Sequence, residues 1–420
     1  MRAMKDSGVE WIGEIPQDWE VAQVRYLFNI GRGRVIAQTE LVDDGIYPVY
    51  SSQTKNEGCL GYINSYDFED EQLTWTTDGA NAGTVFLRKG KHNCTNVCGT
   101  LKPLSDSVCL LYQKYALEHI AFYHKRADTN GYKIMNNEMA TIKTLIPNIA
   151  EQQRIADYLD SKCSKIDAII EKQQAVIEKL KEYKLSVITE AVTKGLNPDV
   201  EMKDSGVEWL GKIPAHWKFL PFKFVLKERS EKNIPIKTSE RLSLSIDKGV
   251  TLYAEKTTNL DRFKDDVSQY KLTYKGDLVL NSMNMIVGAI GTSNYFGCVS
   301  PAYYTYYDDE ENHEIARYCD YLLKCKTMRK VLHSLGKGIM SIDRGDDRIN
   351  TCRLKVSRDD LRSLKIPVPP LNEQREIISY LNDVVNKIDK TIKDRLIVIE
   401  KIKEYKKSFI YEVVTGKKEV

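Results

Sequence analysis

The sequence predicts an α+β protein: two globular α/β inserts separated by two long helices, the whole laid out as an internal repeat. Three observations carry this. Glu151-Gln152-Gln153-Arg154-Ile155 opens a run in which Leu159, Cys163, Ile166, Ile170, Gln173, Ile177, Leu180, Lys184, Val187 and Ala191 recur in alternate steps of four and three, the a/d seam of a heptad. Glu373-Gln374-Arg375-Glu376-Ile377 opens a second such run through Leu381, Val385, Ile388, Ile392, Arg395, Ile399, Ile402, Lys406, Phe409 and Val413; over 151–193 against 373–415, 22 of 43 pairs are identical. Third, Met4-Lys5-Asp6-Ser7-Gly8-Val9-Glu10-Trp11 returns as Met202-Lys203-Asp204-Ser205-Gly206-Val207-Glu208-Trp209, with Gly13, Ile15-Pro16 and Trp19 matched by Gly211, Ile213-Pro214 and Trp217.

In order, the chain divides into a Trp-rich segment (1–20), a first insert (21–150), a long helix (151–195), a repeated Trp-rich segment (196–218), a second insert (219–370) and a second long helix (371–416). Such a helix is about 60 Å long at ~1.5 Å per residue and cannot bury its own seam, so the two copies are expected to pack on each other. Both seams break at the same places, Gln173 with Arg395 and Lys184 with Lys406. The offset between copies grows from 198 at the Trp-rich segments to 222 at the helices, so the second insert is 24 residues longer. The inserts themselves do not align.

In the first insert Tyr47–Tyr50, Leu73–Thr76, Thr84–Leu87 and Val108–Leu111 read as strands and Tyr115–Arg126 as a helix. In the second, Leu278–Leu280 reads as a strand and Ile315–Leu335 as one helix. Pro147 and Pro367-Val368-Pro369-Pro370 stop each insert, and an acidic first turn starts each long helix.

The chain has 420 residues and a net charge of +3, which conceals an imbalance. Residues 1–150 hold 15 Lys and Arg against 18 Asp and Glu; residues 196–370 hold 28 against 24. Nine cysteines without framework spacing read as a reduced, cytoplasmic chain, the opening is not read as a signal peptide, and no apolar run suggests a membrane span.

Catalytic motifs are absent: no Asn/Asp-Pro-Pro-Tyr/Phe, no Gly-rich nucleotide loop, no P-loop. His92, Cys94 and Cys98 fall short of a zinc set and read as buried strand residues, so no metal is expected. Turns carry the better candidates for contacts. Arg32, Arg34, Lys55, Asn56, Arg88, Lys89, Lys91, Asn130, Tyr132 and Lys133 in the first insert, and Asn281, Asn284, Lys337, Arg344, Arg348 and Asn350 in the second, are the residue types that meet base edges and phosphates. Ordinary solvated loop charge is the competing reading. Beside the seam (Leu159, Ile166, Ile170, Ile177, Leu180, Val187; Leu381, Ile388, Ile392, Ile399, Ile402, Phe409) the helices carry extra apolar positions: Ile169, Val176, Tyr183 and Ile188, and Val398, Tyr405 and Ile410. The apolar face is wider than a two-stranded seam requires, which suggests a further partner or packing under the inserts.

Two dissimilar inserts, each closed by an E-Q-x-x-I helix after a Pro-rich stop and each preceded by K-D-S-G-V-E-W-[IL]-G-x-I-P-x-x-W, resemble the specificity (S) subunit of type I restriction–modification enzymes. The resemblance implies that the inserts are target recognition domains, that the helices form an antiparallel coiled coil with pseudo-two-fold symmetry, and that the chain is no enzyme and needs no cofactor of its own. It also implies double-stranded DNA as ligand, a bipartite asymmetric target, and two modification subunits on the extra apolar stripe, methylating adenine from S-adenosylmethionine. Restriction subunits would add ATP- and magnesium-dependent cleavage. A scaffold whose inserts bind protein, or a cryptic nuclease or methyltransferase, remains the alternative.

Overall fold

Both long helices form, and their ends explain the repeated motifs. The computed structural model describes residues 2–129, 131–255, 266–309, 313–338 and 354–420. Its helices are α1 (Leu110–His124), α2 (Asn136–Thr141), α3 (Ile149–Lys194), α4 (Glu314–Lys324), α5 (Lys326–Ser334), α6 (Arg358–Ser363) and α7 (Leu371–Val414). Among the described residues no helix is long and apolar enough to cross a membrane. The chain forms two units: Met1–Gln174 with Arg395–Val420, and Ala175–Asp394. Each unit therefore takes the first half of one long helix and the second half of the other.

In the first unit, Glu151 accepts a hydrogen bond from Trp19 Nε1 at 3.0 Å and a second set from Arg2. Gln152 donates back to the Pro147 carbonyl at 2.8 Å, and Ile155 is buried. The second unit repeats the arrangement with Trp217 Nε1 on Glu373 at 3.0 Å, Gln374 on the Pro369 carbonyl at 2.8 Å, and buried Ile377. The E-Q-x-x-I motif and the Trp-rich segment are thus two halves of one clasp. The far end of the other helix completes it. Gly195, which stops α3 at φ 79°, lies against Trp217 and Glu373, and Gly416, just past α7 at φ 71°, lies against Trp19 and Pro16.

The second helix halves are built into the insert cores. Phe409, Val413 and Val414 of α7 join Trp19, Phe28, Trp75, Tyr112 and Leu159 in the first unit, where Tyr112 donates to the Val414 carbonyl. Val187, Ala191 and Val192 of α3 join Trp217, Phe222, Tyr318 and Leu381 in the second, where Tyr318 donates to the Val192 carbonyl at 2.8 Å. Of the two expectations for the extra apolar positions, Ile188 and Ile410 meet the second, packing under the inserts. Ile188 is in the second unit's core and Ile410 packs on the first's, because the helix ends are embedded.

The polar breaks of the seam fix its direction. In the first unit Arg395 donates to Gln173, and Lys406 meets Asp167 at 2.7 Å. As α3 advances the partner position retreats, so the helices are antiparallel. In the second unit Lys184 meets Asp389 at 2.7 Å, the same pair of repeat positions with the helices exchanged. Both aspartates are half exposed, and such ion pairs are worth about 0–1 kcal/mol, less than the ~1.5–3 kcal/mol from burying a leucine. Replacing Lys184 and Lys406 together by Leu therefore raises the melting temperature and weakens register. Calorimetry showing a lower melting temperature would remove them from the seam.

Trp19→Phe deletes one donor to a buried carboxylate, a loss of about 1.5–3 kcal/mol at neutral pH. The Arg2 hydrogen bonds, then that of Trp19, hold the Glu151 carboxyl below its usual range. A carboxylate lowered in this way stabilises above its unfolded pKa, about 4.3, and the contribution vanishes as pH falls through the lower folded value. The denaturant-measured gap between Trp19→Phe and the parent should accordingly narrow as pH falls below about 4, leaving the pH-independent cost of the lost indole volume.

The inserts, unalignable in sequence, each hold a four-stranded sheet of the same strand order. In the first, antiparallel strands stand in the order Phe28–Arg32, Cys98–Pro103, Gln72–Thr76, Val85–Arg88. In the second the order is Lys227–Glu228, Tyr303–Tyr307, Leu278–Asn281, Ile290–Thr292, again antiparallel. Chain position follows the same sequence in both. Each insert also closes at its base, Glu20–Gln23 pairing with Lys143–Ile146 and Lys218–Pro221 with Lys365–Val368. Two local expectations fail. Val108–Leu111 forms no strand but runs into α1, which begins at Leu110, because the apolar run continues at helical spacing through buried Tyr112, Tyr115, Ala116 and Ile120. The single helix expected over Ile315–Leu335 breaks at extended Cys325 into α4 and α5.

Candidate nucleic-acid interface

Two of the predicted contact residues of the first insert meet at one acid. Arg32 ends its strand 3.7 Å from Asp78, Lys133 lies 3.6 Å from Asp78 and 2.6 Å from Asp128, and Tyr132 precedes Lys133 on the strand Gly131–Lys133 that pairs with Asp78–Gly79. Lys133 holds the Asp128 carboxyl down to about 2. Lys125 lies over the exposed Tyr132 ring. Arg34 stands apart, between Glu40 at 3.0 Å and Asp67 at 3.1 Å. Lys89 pairs with Glu71, and Lys91 lies over the Tyr66 ring. Lys55 and Asn56 occupy an exposed turn in which Asn56 and Glu57 are left-handed, φ 48° and 53°. These exposed ion pairs are individually weak, so a phosphate would compete for the cations at small cost.

Arg88 is a correction. It belongs to the strand Val85–Arg88 and is 2% exposed, stacked 3.6 Å from the Tyr50 centroid and 4.3 Å from that of Phe86, with Nε on Thr74. The run of basic residues looked like one loop, but the strand ends inside it and leaves the Arg88 guanidinium packed within the insert.

In the second insert Asn281 ends a central strand, its Oδ1 accepting from the Met283 amide, and Asn284 opens the turn Met285–Val287 with exposed Met283 beside it. Lys337 pairs with Asp360 at 3.0 Å. Asn130, Arg344, Arg348 and Asn350 lie outside the described residues.

One exposed pair escaped the sequence reading. Arg25 lies over the Tyr26 ring and Lys223 over the Phe224 ring, in short helical turns at equivalent repeat positions, with Tyr26 65% and Phe224 70% exposed. The signal was an aromatic-basic dipeptide conserved in place between the two copies, just past each Trp-rich segment. Along the helices Ile169, Tyr183, Val398 and Tyr405 of the extra stripe are exposed and Val176 is half-buried. Leu396 and Ile397 extend the exposed apolar surface of α7.

Several titratable groups of the inserts are buried. His92 is buried between the Gly90 carbonyl and Gln72, and burial lowers its pKa. Burial pushes the Cys98 and Cys298 thiols up to about 11, far from thiolate reactivity. Among the described residues no three His, Cys, Asp or Glu converge on a metal-holding position.

A sequence profile described as the type I restriction modification DNA specificity domain matches residues 16–179 and 218–401, one match per repeat. A putative type I specificity subunit N-terminus from Mycoplasma pneumoniae is 39% identical over 140 residues, 33% of this chain and 75% of that relative. Another putative type I specificity subunit of the same organism is 39% identical over 144 residues, 34% of this chain but only 59% of the relative, so the chain spans under two thirds of its length. A putative type I restriction enzyme specificity subunit from Methanocaldococcus jannaschii is 22% identical across 97% of this chain and 95% of that one. Among solved structures, a chain from work on complex assembly and conformational transition of the type I R-M system superposes with a TM-score of 0.64 at 11% identity, covering 96% of this chain and 99% of that one. At that identity the likeness is one of fold.

Proposed function

This chain belongs to the type I restriction modification DNA specificity family, whose subunits are non-catalytic recognition chains, and we propose that its two inserts read the two unlike halves of a bipartite, asymmetric DNA target. One observation carries the reading: the two inserts share a sheet order yet present unrelated residues at their surfaces. A duplicated scaffold with different faces suits two different half-sites, as half-site spacing follows symmetry in other DNA readers. Arg32, Tyr132 and Lys133 in the first insert and Asn281 and Asn284 in the second are the leading contacts, with Arg34, Lys55, Asn56, Lys89, Lys91 and Lys337 as phosphate partners.

The duplicated Arg25-Tyr26 and Lys223-Phe224 pairs and the stripe through Ile169, Val176, Tyr183, Val398 and Tyr405 suit a protein partner that binds each copy, which we assign to two modification subunits. Those subunits would bring S-adenosylmethionine and methylate adenine; restriction subunits would bring ATP and magnesium for cleavage. The complex would act in the cytoplasm, where the DNA is. The test is a genome-wide map of methylated adenines in a host expressing this chain with its modification subunits. A two-part motif with unlike halves around an unread gap is expected. A continuous motif, or methylation unchanged by the chain, sinks the proposal.

A further inference from the structure

α5 turns Met328 and Leu332 into the core of the second unit, and carries Lys326, Arg329, Lys330 and His333 at i, i+3, i+4 and i+7 along one face. These four side chains line a groove of about 390 Å3 whose opposite walls are Leu185 of α3 and Ile286 and Val287 of the turn after Asn284. None of the lining residues is acidic. Arg329 Nε is anchored on the Ile286 carbonyl at 3.4 Å, which ties the basic face to that turn. The neighbouring cations are neutralised: Lys324 by Asp320 at 2.6 Å and Lys337 by Asp360. Among the described residues no carboxylate pairs with Lys326, Arg329, Lys330 or His333. Like charges three and four residues apart repel along a helix, so this face is held together without a counter-charge from the fold. Among the described residues, no helix of the first insert carries such a basic face. Its chain passes from α1 to the strands Arg126–Asp128 and Gly131–Lys133, and residues 21–150 hold 13 Lys and Arg against 13 Asp and Glu where residues 219–370 hold 25 against 20.

We propose that this groove is an anion site for the DNA backbone, taking phosphodiesters beside the loop that carries Asn281, Met283 and Asn284. The inference rests on the DNA-recognition reading and adds to it: the second insert holds its half-site with a further phosphate anchor, built on a helix face rather than on exposed loop cations. The groove's position explains the pairing of roles. Its apolar wall is the turn that starts at Asn284, so a strand lying against α5 runs past the candidate base-reading loop. Phosphate contacts of this kind set register and orientation and carry no sequence information themselves.

The test is a salt titration of duplex binding by the full chain, comparing the parent with Lys326→Gln/Lys330→Gln. Both lysines are exposed, so the fold should survive, which circular dichroism checks. Each lost phosphate contact lowers the slope of log K against log salt by about 0.9, so the double variant should lose about 2 from the slope. Affinity should fall for every duplex sequence alike, while the methylated motif in the host stays the same. Lys390→Gln/Lys401→Gln, which removes the same charge from exposed positions of α7, should keep the parent slope. An unchanged slope in the α5 variant overturns the proposal, as does an equal loss in the α7 control. So does stabilisation of the parent, and not the variant, by inorganic phosphate with no difference in DNA binding, which would make the groove a free-anion site. A parent chain that binds no duplex at all instead removes the recognition reading on which the inference stands.

Discussion

Expressed alone, residues 1–196 form a homodimer. The fragment keeps the first insert and all of α3 but loses the second half of α7, whose Phe409, Val413 and Val414 are buried in the first unit's core. Burial of each is worth about 1.5–3 kcal/mol, too much to leave wet. A replacement is at hand. Val187, Ala191 and Val192 stand at the repeat positions of Phe409, Val413 and Val414, so the end of one fragment's α3 can fill the vacancy in a second fragment. Val187 is smaller than Phe409 and leaves a cavity, so the dimer should be weaker than the intact chain's own packing. Sedimentation checks the assembly, and Val192→Asp should return the fragment to monomer. With modification subunits the dimer should methylate a palindrome made of the first half-site. A soluble, folded, monomeric fragment would mean that the α7 residues are not needed to complete the first unit.

The parts legible in the sequence are those governed by a period. The two long helices were readable because apolar positions that share a helix face repeat every three or four residues, whatever else surrounds them. The ends of the helices were marked as well, by Glu151 and Glu373, but their function was not: the donors to these carboxylates, Trp19 and Trp217, lie more than a hundred residues earlier. The common sheet of the two inserts was invisible, since its strands need only burial on the pleated faces and share no residue identities. The short apolar run at Val108–Leu111 fits strand and helix equally, and only the residues after it decide. The basic stretch from Arg88 to Lys91 hid a strand end, which put a buried guanidinium among surface candidates. Reading Ile315–Leu335 as one helix had a larger cost. The break at Cys325 reorients α5, and its basic face, the basis of the anion site, was merged into a longer amphipathic pattern.

Lengthening the helices should lengthen the gap in the DNA target. One heptad inserted after Leu180 in α3 and another after Lys390 in α7 fall between the same two layers of the antiparallel pair, just inside the Lys184–Asp389 contact. The seam stays in register, both clasps and both insert cores remain untouched, and the rod grows by about 10 Å. At about 3.4 Å per base pair the unread gap should grow by roughly three base pairs. The two half-site sequences should stay as they are. Three base pairs also rotate the second half-site by roughly 100°, which the DNA must absorb by twisting or bending, so methylation should slow. The measurement is the adenine methylation map of a host carrying the lengthened chain with its modification subunits. The predicted result is the parent motif with the same halves and a gap longer by about three base pairs. The parent motif with its gap unchanged, methylated at the parent rate, would contradict the account, for the helices would then not be what spaces the two readers.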